Sequence, residues 1–335
     1  MKLYLKNFIP YCRASWRLVQ QLRAQQNYIN NHLEPILRHA TQQNDGSLDP
    51  NDFKKIRDYY ALFVVAIVGE NYCRLRGSKM LEKERKTLTF QGALTGLYDD
   101  FFDKEKWNGK AILEMMNEPY LYQAKDSAEK LFIHFLQEVH SEIENRTDFD
   151  ILFNQIYAIQ IETKKQIQST LSPSELKTIS EKKGGLSHLF YRITLSNALI
   201  EGESEALYEL GSLLQQVNDI FDIWKDQKAG IATFASASTK MKNTKAEFEL
   251  QLNKVYELIR SLNYSASAKR DFFLQLMILI GMGVVSLNQY IALQEKKNSI
   301  FNAAEFTRKE LVCDMQKKRN LLKLMRVCLS YDFRF

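Results

Sequence analysis

The stretch Glu203–Gly230 limits how this chain can fold more than any other. Its large apolar residues recur at steps of three and four, which places their side chains on one face of an α-helix. They are Leu207, Leu210, Leu214, Val217, Phe221 and Trp224. Asn218, Asp222 and Asp226 recur every four residues and predict a polar stripe beside the apolar one. The stretch therefore predicts a packed helix with acidic groups along one side.

The rest of the chain also favours helices. Only 13 glycines and 5 prolines occur in 335 residues, and no strand-length segment alternates polar with apolar residues. Ser172-Pro173-Ser174-Glu175 has the form of a capping box, and Lys183-Gly184-Gly185 predicts the end of that helix. The other predicted helices are Tyr11–Ala40, Asp52–Arg76 (ended by Gly77), Glu82–Lys104, Ile112–Met116, Ser127–Glu144, Phe149–Thr170, Leu186–Leu199, Glu203–Asp226, Lys245–Leu262, Ala266–Leu293 and Ala303–Leu329. We predict an all-α fold, with residues 1–335 in a single domain.

Another acidic cluster, Asp99-Asp100-Phe101-Phe102-Asp103, lies far upstream. In chain order it is the first acidic cluster, and the stretch with Asn218, Asp222 and Asp226 is the second. Its outer aspartates stand one helical turn apart, where like charges repel by about 0.2–0.5 kcal/mol per pair, so we expect positive charge between them. Hard oxygen ligands on one face suit Mg²⁺, which is usually completed by waters and substrate phosphates. Two such clusters on separate helices predict a site that holds a diphosphate through metal ions.

The two clusters resemble the metal motifs of the class I isoprenoid (terpenoid) synthase superfamily. Asp99–Asp103 is similar to the aspartate-rich D-D-x-x-D motif of terpene synthases and prenyltransferases. Asn218, Asp222 and Asp226 resemble the Asn, Ser/Thr and Glu triad of terpene synthases. Read from Gln215 as Q-x-x-N-x-x-x-D-x-x-x-D, the same stretch is similar to squalene/phytoene synthases. Read as Q-x-x-N-D-x-x-D, it resembles chain-elongating prenyltransferases, with Asn in place of an Asp.

The resemblance implies a terpenoid-synthase fold, a single helical bundle around a central cavity, that ionises an allylic isoprenyl diphosphate. It implies Mg²⁺, three ions in all. The implied catalytic and metal-binding residues are Asp99, Asp100, Asp103, Asn218, Asp222 and Asp226. Lys183, Arg192 and Lys228 are the candidates for holding the diphosphate, and Tyr98, Phe190 and Tyr191 for stabilising a carbocation.

The predicted substrate pocket contains Gly92, Thr95, Gly96 and Gln215. Two glycines inside a helix cost about 1 kcal/mol each relative to alanine, which predicts a spatial reason for them. Either another helix packs closely there, or the space holds an isoprenoid tail. The aperiodic segment Ala229–Asn243 predicts a loop, which we interpret as a lid that closes over bound diphosphate.

The sequence does not decide between the subclasses of this superfamily. A terpene synthase, which ionises one diphosphate, makes the fewest demands that the sequence does not meet. A chain-elongating prenyltransferase would need a G-K-x-x-R element and an Arg pair after the first motif, and neither occurs. A squalene/phytoene-type enzyme that condenses two allylic diphosphates is a further alternative. A non-catalytic helical scaffold is the alternative from another class.

Charge and composition set the expected surroundings. The net charge of +6 is compatible with anionic substrates or a membrane surface. The four scattered cysteines and the absence of a signal-peptide pattern predict a cytoplasmic protein with reduced thiols. The apolar run Phe272–Leu287 is shorter than the ~20 residues that span a bilayer, which predicts a core helix. We expect no nucleic-acid partner, while membrane contact without a membrane-spanning segment and a homodimer stay open.

Overall fold

The computed structural model describes residues 2–103, 109–167, 170–297, 300–332 and 334–335, without the side chains of Lys2 and Asp103. The chain is 78% helical. The described residues form no strand, and one isolated antiparallel bridge joins Ile167 to Ile231. The predicted all-α class is confirmed.

Long helices connected by short turns make up most of the described chain. The α-helices are α1 (Lys2–His32), α2 (Glu34–Gln42), α3 (Pro50–Lys54), α4 (Ala61–Phe63), α5 (Glu70–Leu75), α6 (Glu82–Asp103), α7 (Gly109–Asn117), α8 (Ser127–Glu142), α9 (Arg146–Thr163), α10 (Pro173–Arg192), α11 (Glu203–Phe221), α12 (Ile223–Ala229), α13 (Met241–Ser261), α14 (Ala266–Lys297), α15 (Arg308–Leu311) and α16 (Lys318–Ser330). Two π-helical segments, Lys55–Tyr60 and Val64–Gly69, link α3, α4 and α5 into one helical path. Single 3₁₀ turns occur at Lys164–Gln166 and Ala303–Glu305.

Several helix ends follow their local sequence signals. The predicted capping box is present, since the Ser172 N–H donates to Glu175 Oε2 at 2.8 Å and the Glu175 N–H donates to Ser172 Oγ at 3.4 Å. Gly77 follows α5 with a φ of +71°, a left-handed conformation that favours glycine and ends the helix as predicted.

The predicted end of a helix at Gly184-Gly185 is wrong, because α10 continues through both glycines. A Cβ on Gly184 would overlap the carbonyl oxygen of Gly211 in α11, and a Cβ on Gly211 would overlap the carbonyl oxygen of Gly184. The glycines therefore let two helix backbones approach closely instead of ending a helix.

Two other predicted boundaries are also wrong. Pro35 lies in the first turn of α2, so the helix predicted over Tyr11–Ala40 is divided after His32. The helix predicted over Ala303–Leu329 is three short pieces, because Thr307 and Glu310 form a capping box that starts a separate helix.

The chain groups into two compact units. The first unit contains Met1–Ser15, Gln155–Leu189 and Leu199–Phe335, and the second contains Trp16–Asn154 and Phe190–Ala198. The helices α1, α9 and α10 have residues in both units. A single functional domain over 1–335 stays a prediction.

The second unit has an aromatic core. In this unit, α6 packs against α8 and against the first π-helical segment. Neighbouring ring centroids in the core lie 4.7 to 6.5 Å apart. The rings belong to Tyr98, Phe132, Phe149, Phe153 and Phe190, all of which are buried. Burial of these rings holds the end of α6, which carries the first acidic cluster.

The first unit is arranged around α14, which packs against α11, α13 and α16. Gly283 allows close contact with Val217 and Phe248, and Gly281 allows close contact with Leu324. At 32 residues, and with a mean hydropathy of 1.8 in its most apolar window, α14 is long and apolar enough to cross a membrane. The helix is longer than the apolar run that predicted it, but most of Phe272–Leu287 is buried, as expected for a core helix, and 56% of the most apolar window is buried.

Candidate functional site

The first acidic cluster lies at the end of α6 and meets a lysine and a tyrosine of the first π-helical segment. Lys55 Nζ lies 2.7 Å from Asp100 Oδ1 and 3.7 Å from Asp99 Oδ2. The Tyr60 hydroxyl donates to Asp99 Oδ2. Asp103 ends the helix, and its side chain lies outside the described part of the structure. The chain itself thus supplies a positive charge and a hydroxyl donor to Asp99 and Asp100.

Burial dominates the electrostatics of this cluster. It raises the pKa of Asp100 to about 6, a rise that Lys55 opposes and neighbouring Asp52 increases. The pKa of Tyr60 is raised well above its usual value, first by burial and then by the charge of Asp99. Tyr60 therefore stays a protonated donor to Asp99 throughout the physiological range.

Two glycines of α6 bring the π-helical segment close enough for these contacts. A Cβ on Gly92 would lie 2.8 Å from the Tyr60 carbonyl oxygen, and one on Gly96 would lie 3.3 Å from Ile56 Cα. The expectation of open space for an isoprenoid tail over these glycines is wrong, because backbone fills that space. The close-packing alternative is the one that agrees with the geometry.

The other two predicted pocket residues make hydrogen bonds within the protein. Thr95 Oγ1 donates to the Gln91 carbonyl at 2.8 Å and accepts from the Tyr191 hydroxyl at 3.2 Å. Gln215 Nε2 donates to Asp219 Oδ1 at 2.8 Å. A small pocket that opens to solvent lies among other residues, namely Lys83, Glu84, Glu142, Glu144, Thr194, Leu195 and Ser196. A central substrate cavity stays a prediction.

The second acidic cluster lies where α11 passes into α12. Asp222 separates the two helices with φ −87° and ψ 5°. Backbone bonds continue on both sides of it, from the Asp222 N–H to the Asn218 carbonyl and from the Asp226 N–H to the Asp222 carbonyl. Burial increases along the repeat, from exposed Asn218 through half-buried Asp222 to buried Asp226, so the three side chains do not share one environment. Asn218 is exposed, and Asp219 takes the inward position that we predicted for Asn218.

Asp219 is buried and held by two donors. Ser180 Oγ donates to Asp219 Oδ2 at 2.6 Å, and Gln215 donates to the other carboxylate oxygen. Burial raises the pKa of Asp219, while these two hydrogen bonds and the charge of Lys183 oppose the rise. Ser180 and Gln215 thus fix the orientation of this carboxylate.

Asp226 is the least compensated acid of the group. Burial raises its pKa to about 7, and the charges of Asp219 and Asp222 add to the rise. Lys225 opposes the rise, but its ammonium pairs with Asp222 Oδ2 at 3.5 Å. Within the described part of the chain, Asp226 forms no ion pair. A buried carboxylate in this setting favours either a proton or a bound cation.

The three predicted diphosphate-binding residues lie in different surroundings. Lys183 is half-buried in α10, and its charge lowers the pKa of both Asp219 and Asp226. Arg192 is buried and donates to the carbonyl oxygens of Asn197 and Ala198. Lys228 is exposed, with its ammonium 4.7 Å from the centre of the Trp224 ring. The structure therefore groups Lys183 with the second acidic cluster.

Sequence reasoning missed Lys55, Tyr60 and Ser180. Lys55 lies 45 residues before Asp100, and Ser180 lies 39 residues before Asp219, so no local spacing connects them. Ser180 lies three positions before Lys183 on a helix. Residues three apart share a helix face, so this spacing could have indicated that Ser180 lies on the side of Lys183.

The two clusters differ in how well they suit Mg²⁺. Among the described residues, no group of three or more His, Cys, Asp or Glu side chains is close enough to hold a metal ion by itself. Mg²⁺ is commonly bound by one or two carboxylates together with waters and substrate phosphates. Asp222 and Asp226 fit that donor set, because Asp226 is buried beside other acids without a paired cation. Asp99 and Asp100 fit it less well, because Lys55 already pairs with them.

Comparison with known proteins does not assign this chain to a family. No protein-family model matches the chain, and no curated protein matches it significantly.

Proposed function

We propose that this chain is a Mg²⁺-dependent class I isoprenoid synthase of the terpene-synthase type. It would ionise an allylic isoprenyl diphosphate and release diphosphate with a terpene hydrocarbon or alcohol. The observation that carries the proposal is the group of Asp219, Asp222 and Asp226 at a helix interruption, with Lys183 beside it. This group lies in an all-α chain whose motifs resemble those of that superfamily.

Asp226 is the residue in this group that most needs a cation. With a pKa raised to about 7, it is partly protonated near neutral pH. A cation that binds there favours the ionised form and displaces the proton, so binding should strengthen as pH rises through about 7. Mg²⁺, when bound, stabilises the negative charge that develops on a leaving diphosphate.

The surrounding side chains orient the acids and attract the substrate. Ser180 and Gln215 each donate to one oxygen of Asp219, which holds that carboxylate in a single orientation. Lys183 adds a positive charge next to the acidic group, and its flexible ammonium suits a phosphate oxygen. Together these residues provide acidic groups for a metal and a basic group for the phosphate.

Turnover of allylic diphosphates tests this proposal directly. The protein is incubated with Mg²⁺ and diphosphates from C10 to C25, while diphosphate release and organic products are followed together. Asp222→Ala and Asp226→Asn should reduce release to the level without protein and leave the helical circular-dichroism spectrum intact. Glu249→Gln, an exposed residue of α13, is the matched control and should keep wild-type release. Absence of release from every chain length would contradict the proposal.

The same experiment separates the related subclasses. A terpene synthase consumes one allylic diphosphate for each product molecule. A squalene/phytoene-type enzyme consumes two, and a chain-elongating prenyltransferase requires isopentenyl diphosphate as well. The ratio of diphosphate released to product formed, with and without isopentenyl diphosphate, distinguishes the three.

A non-catalytic helical scaffold is the second candidate, and one observation favours it. Lys55 pairs with Asp99 and Asp100 and occupies the place where the resemblance implies a metal. In a scaffold these residues would serve stability alone. Asp99→Asn and Asp100→Asn would then change the free energy of unfolding and leave no catalytic effect to measure.

A further inference from the structure

The outward face of α1 carries large apolar side chains along its first half, whereas its buried face combines polar residues with Ala14 and Ile29. Leu5, Ile9 and Trp16 are 71%, 59% and 67% exposed. On the opposite face, Asn7 and Gln25 are completely buried. A helix that packs onto a globular core normally shows the reverse arrangement. The exposed apolar side chains therefore point to a binding partner outside the folded chain.

These side chains form one continuous stripe. At about 100° per residue, Leu5, Ile9, Cys12 and Trp16 fall within an arc of roughly 60° on the helix. Other exposed apolar residues widen the stripe along one side, namely Tyr4 (41%), Phe8 (49%) and Val19 (43%). The stripe is wide enough for α1 to lie lengthwise on an apolar surface.

The charge of α1 identifies the chemistry of that surface. The sequence of α1 contains no Asp or Glu. Basic residues follow the other side of the apolar stripe, at Lys6, Arg13 and Arg17. Lys6 Nζ lies 4.0 Å from Asp332 Oδ1. An apolar stripe bordered by Lys and Arg is typical of helices that lie in the interface of an anionic membrane.

A second basic helix is attached beside α1. Asn7 Nδ2 donates to the carbonyl oxygens of Leu329 and Tyr331, at 3.1 Å and 2.7 Å, which ties the end of α16 to α1. The sequence of α16 also contains no acid. Its basic residues are Lys318, Arg319, Lys323 and Arg326, and its exposed apolar ones are Leu321 and Leu322. The C-terminal end of this basic helix is therefore attached to the first part of α1.

We propose that α1 docks on the surface of an anionic lipid bilayer, with Leu5, Ile9 and Trp16 entering the headgroup region. Trp suits that depth, because its ring is apolar while its N–H can still donate a hydrogen bond. A second copy of this chain fits less well, since two α1 helices would bring basic residues together with no acid on either to pair with them. This inference does not depend on the proposed catalytic function.

Vesicle flotation of the full chain tests the proposal. The protein should float with vesicles of equal parts phosphatidylcholine and phosphatidylglycerol, and much less with phosphatidylcholine alone. The double variant Leu5→Ser with Ile9→Ser should weaken binding about tenfold or more, because both side chains supply buried apolar area at the interface. Leu250→Ser is the matched control, since Leu250 is 69% exposed on α13 and follows Glu249. It should bind as wild type does.

A charge variant completes the test, together with sedimentation, which measures whether the protein is a monomer or a dimer. Arg13→Gln should weaken vesicle binding about fivefold, and added salt should weaken the binding of wild type. Failure of wild type to bind anionic vesicles overturns the proposal, and so does equal binding by the Leu5→Ser/Ile9→Ser variant. A wild-type dimer that this double variant abolishes, without vesicle binding by either protein, would assign α1 to a protein interface and also overturn it.

Discussion

The two acidic clusters are similar in composition but differ in how their charge is compensated. Asp99 and Asp100 share the ammonium of Lys55, and Tyr60 donates to Asp99. In the other cluster, burial and neighbouring acids raise the pKa of Asp226 to about 7, and no ion pair of that residue occurs in the described part of the chain. The first cluster is thus partly compensated by its own chain, and Asp226 of the second is left to bind a proton or a cation.

A sequence motif therefore identifies acidic residues but not the positive groups that compensate their charge. The D-D-x-x-D pattern is the better-known signature, yet its acids are the ones that already have a partner. The less regular stretch after Gln215 contains Asp226, the acid that forms no ion pair within the described residues. We therefore expect the second cluster to govern metal dependence, and the first to govern stability more than its motif suggests.

The largest expected effect comes from removing the uncompensated acid. The pKa of Asp226, about 7, exceeds the value of about 3.9 for an unfolded Asp. Between these values the folded chain keeps a proton that the unfolded chain loses, so the stability of the wild type falls as pH rises. Asp226→Asn should remove that fall and be more stable than wild type at pH 8, by about 2–4 kcal/mol.

Urea unfolding at pH 5 and pH 8 measures this difference. Asp222→Asn is the control and should change the pH dependence less, because the Asp222 side chain is 36% exposed. A wild type whose stability does not fall over this range would show that Asp226 already has a counter-charge. The contrast between the two clusters would then be lost.

Removing the counter-charge of the first cluster should have the next largest effect. Lys55→Met should lower the free energy of unfolding at pH 8 by about 1–3 kcal/mol, since it leaves a buried and a half-buried carboxylate without their cation. The loss should shrink at pH 5, where Asp100, with its pKa raised to about 6, is mostly protonated in the wild type.

The matched control for this variant is Lys225→Met. Lys225 also pairs with an aspartate, but its side chain is 78% exposed, so its removal should cost less than about 0.5 kcal/mol. Equal losses for the two lysine variants in urea unfolding would mean that Lys55 does not set the first cluster apart.

A bulky side chain in α6 should have a similar or smaller effect. Gly92→Phe forces a ring against the backbone at Tyr60 and should lower the free energy of unfolding by about 1–3 kcal/mol. If the protein turns over allylic diphosphates, activity should fall alike for every chain length, because the glycine serves packing. Thermal melting together with the chain-length profile measures this. A shift in preference towards shorter substrates, without a change in melting temperature, would restore a pocket role for Gly92.

The smallest effect is expected at Asn218. Because its side chain is exposed, Asn218→Ala should change stability by less than about 0.5 kcal/mol. It should also leave diphosphate release near the wild-type level. Asp219→Ala should reduce that release strongly, since it removes the carboxylate held by Ser180 and Gln215. The opposite order would favour the regular stripe that the sequence predicts over the interrupted helix.

Features determined by neighbouring residues could be predicted from the sequence. Helical class follows from apolar spacing and scarce glycine and proline. The capping box at Ser172 and the stop at Gly77 depend on residues within one turn, and both are present in the structure. The two acidic clusters could also be found from the sequence, because the members of each lie close together in the chain.

Features that depend on tertiary contacts could not be predicted. Gly184 has the local signature of a helix end, and the decisive fact, its backbone contact with Gly211, lies 27 residues away. Lys55 is one of many lysines until folding brings it to Asp100. The inward position of Asp219 depends on how α11 packs, since Ser180 of α10 donates to its carboxylate from 39 residues away.

The π-helical segment Lys55–Tyr60 has a consequence for insertions and deletions. Residues five apart would point about 140° away from each other on an α-helix. In a π-helix, residues five apart are one hydrogen-bonded turn apart and share a side, so Lys55 and Tyr60 can both reach Asp99. Loss of one residue between Lys55 and Tyr60 would leave them four apart, which is only about 40° on a regular α-helix, so both groups would still share a side. The segment can therefore lose its extra residue more easily than it can become an α-helix of the same length.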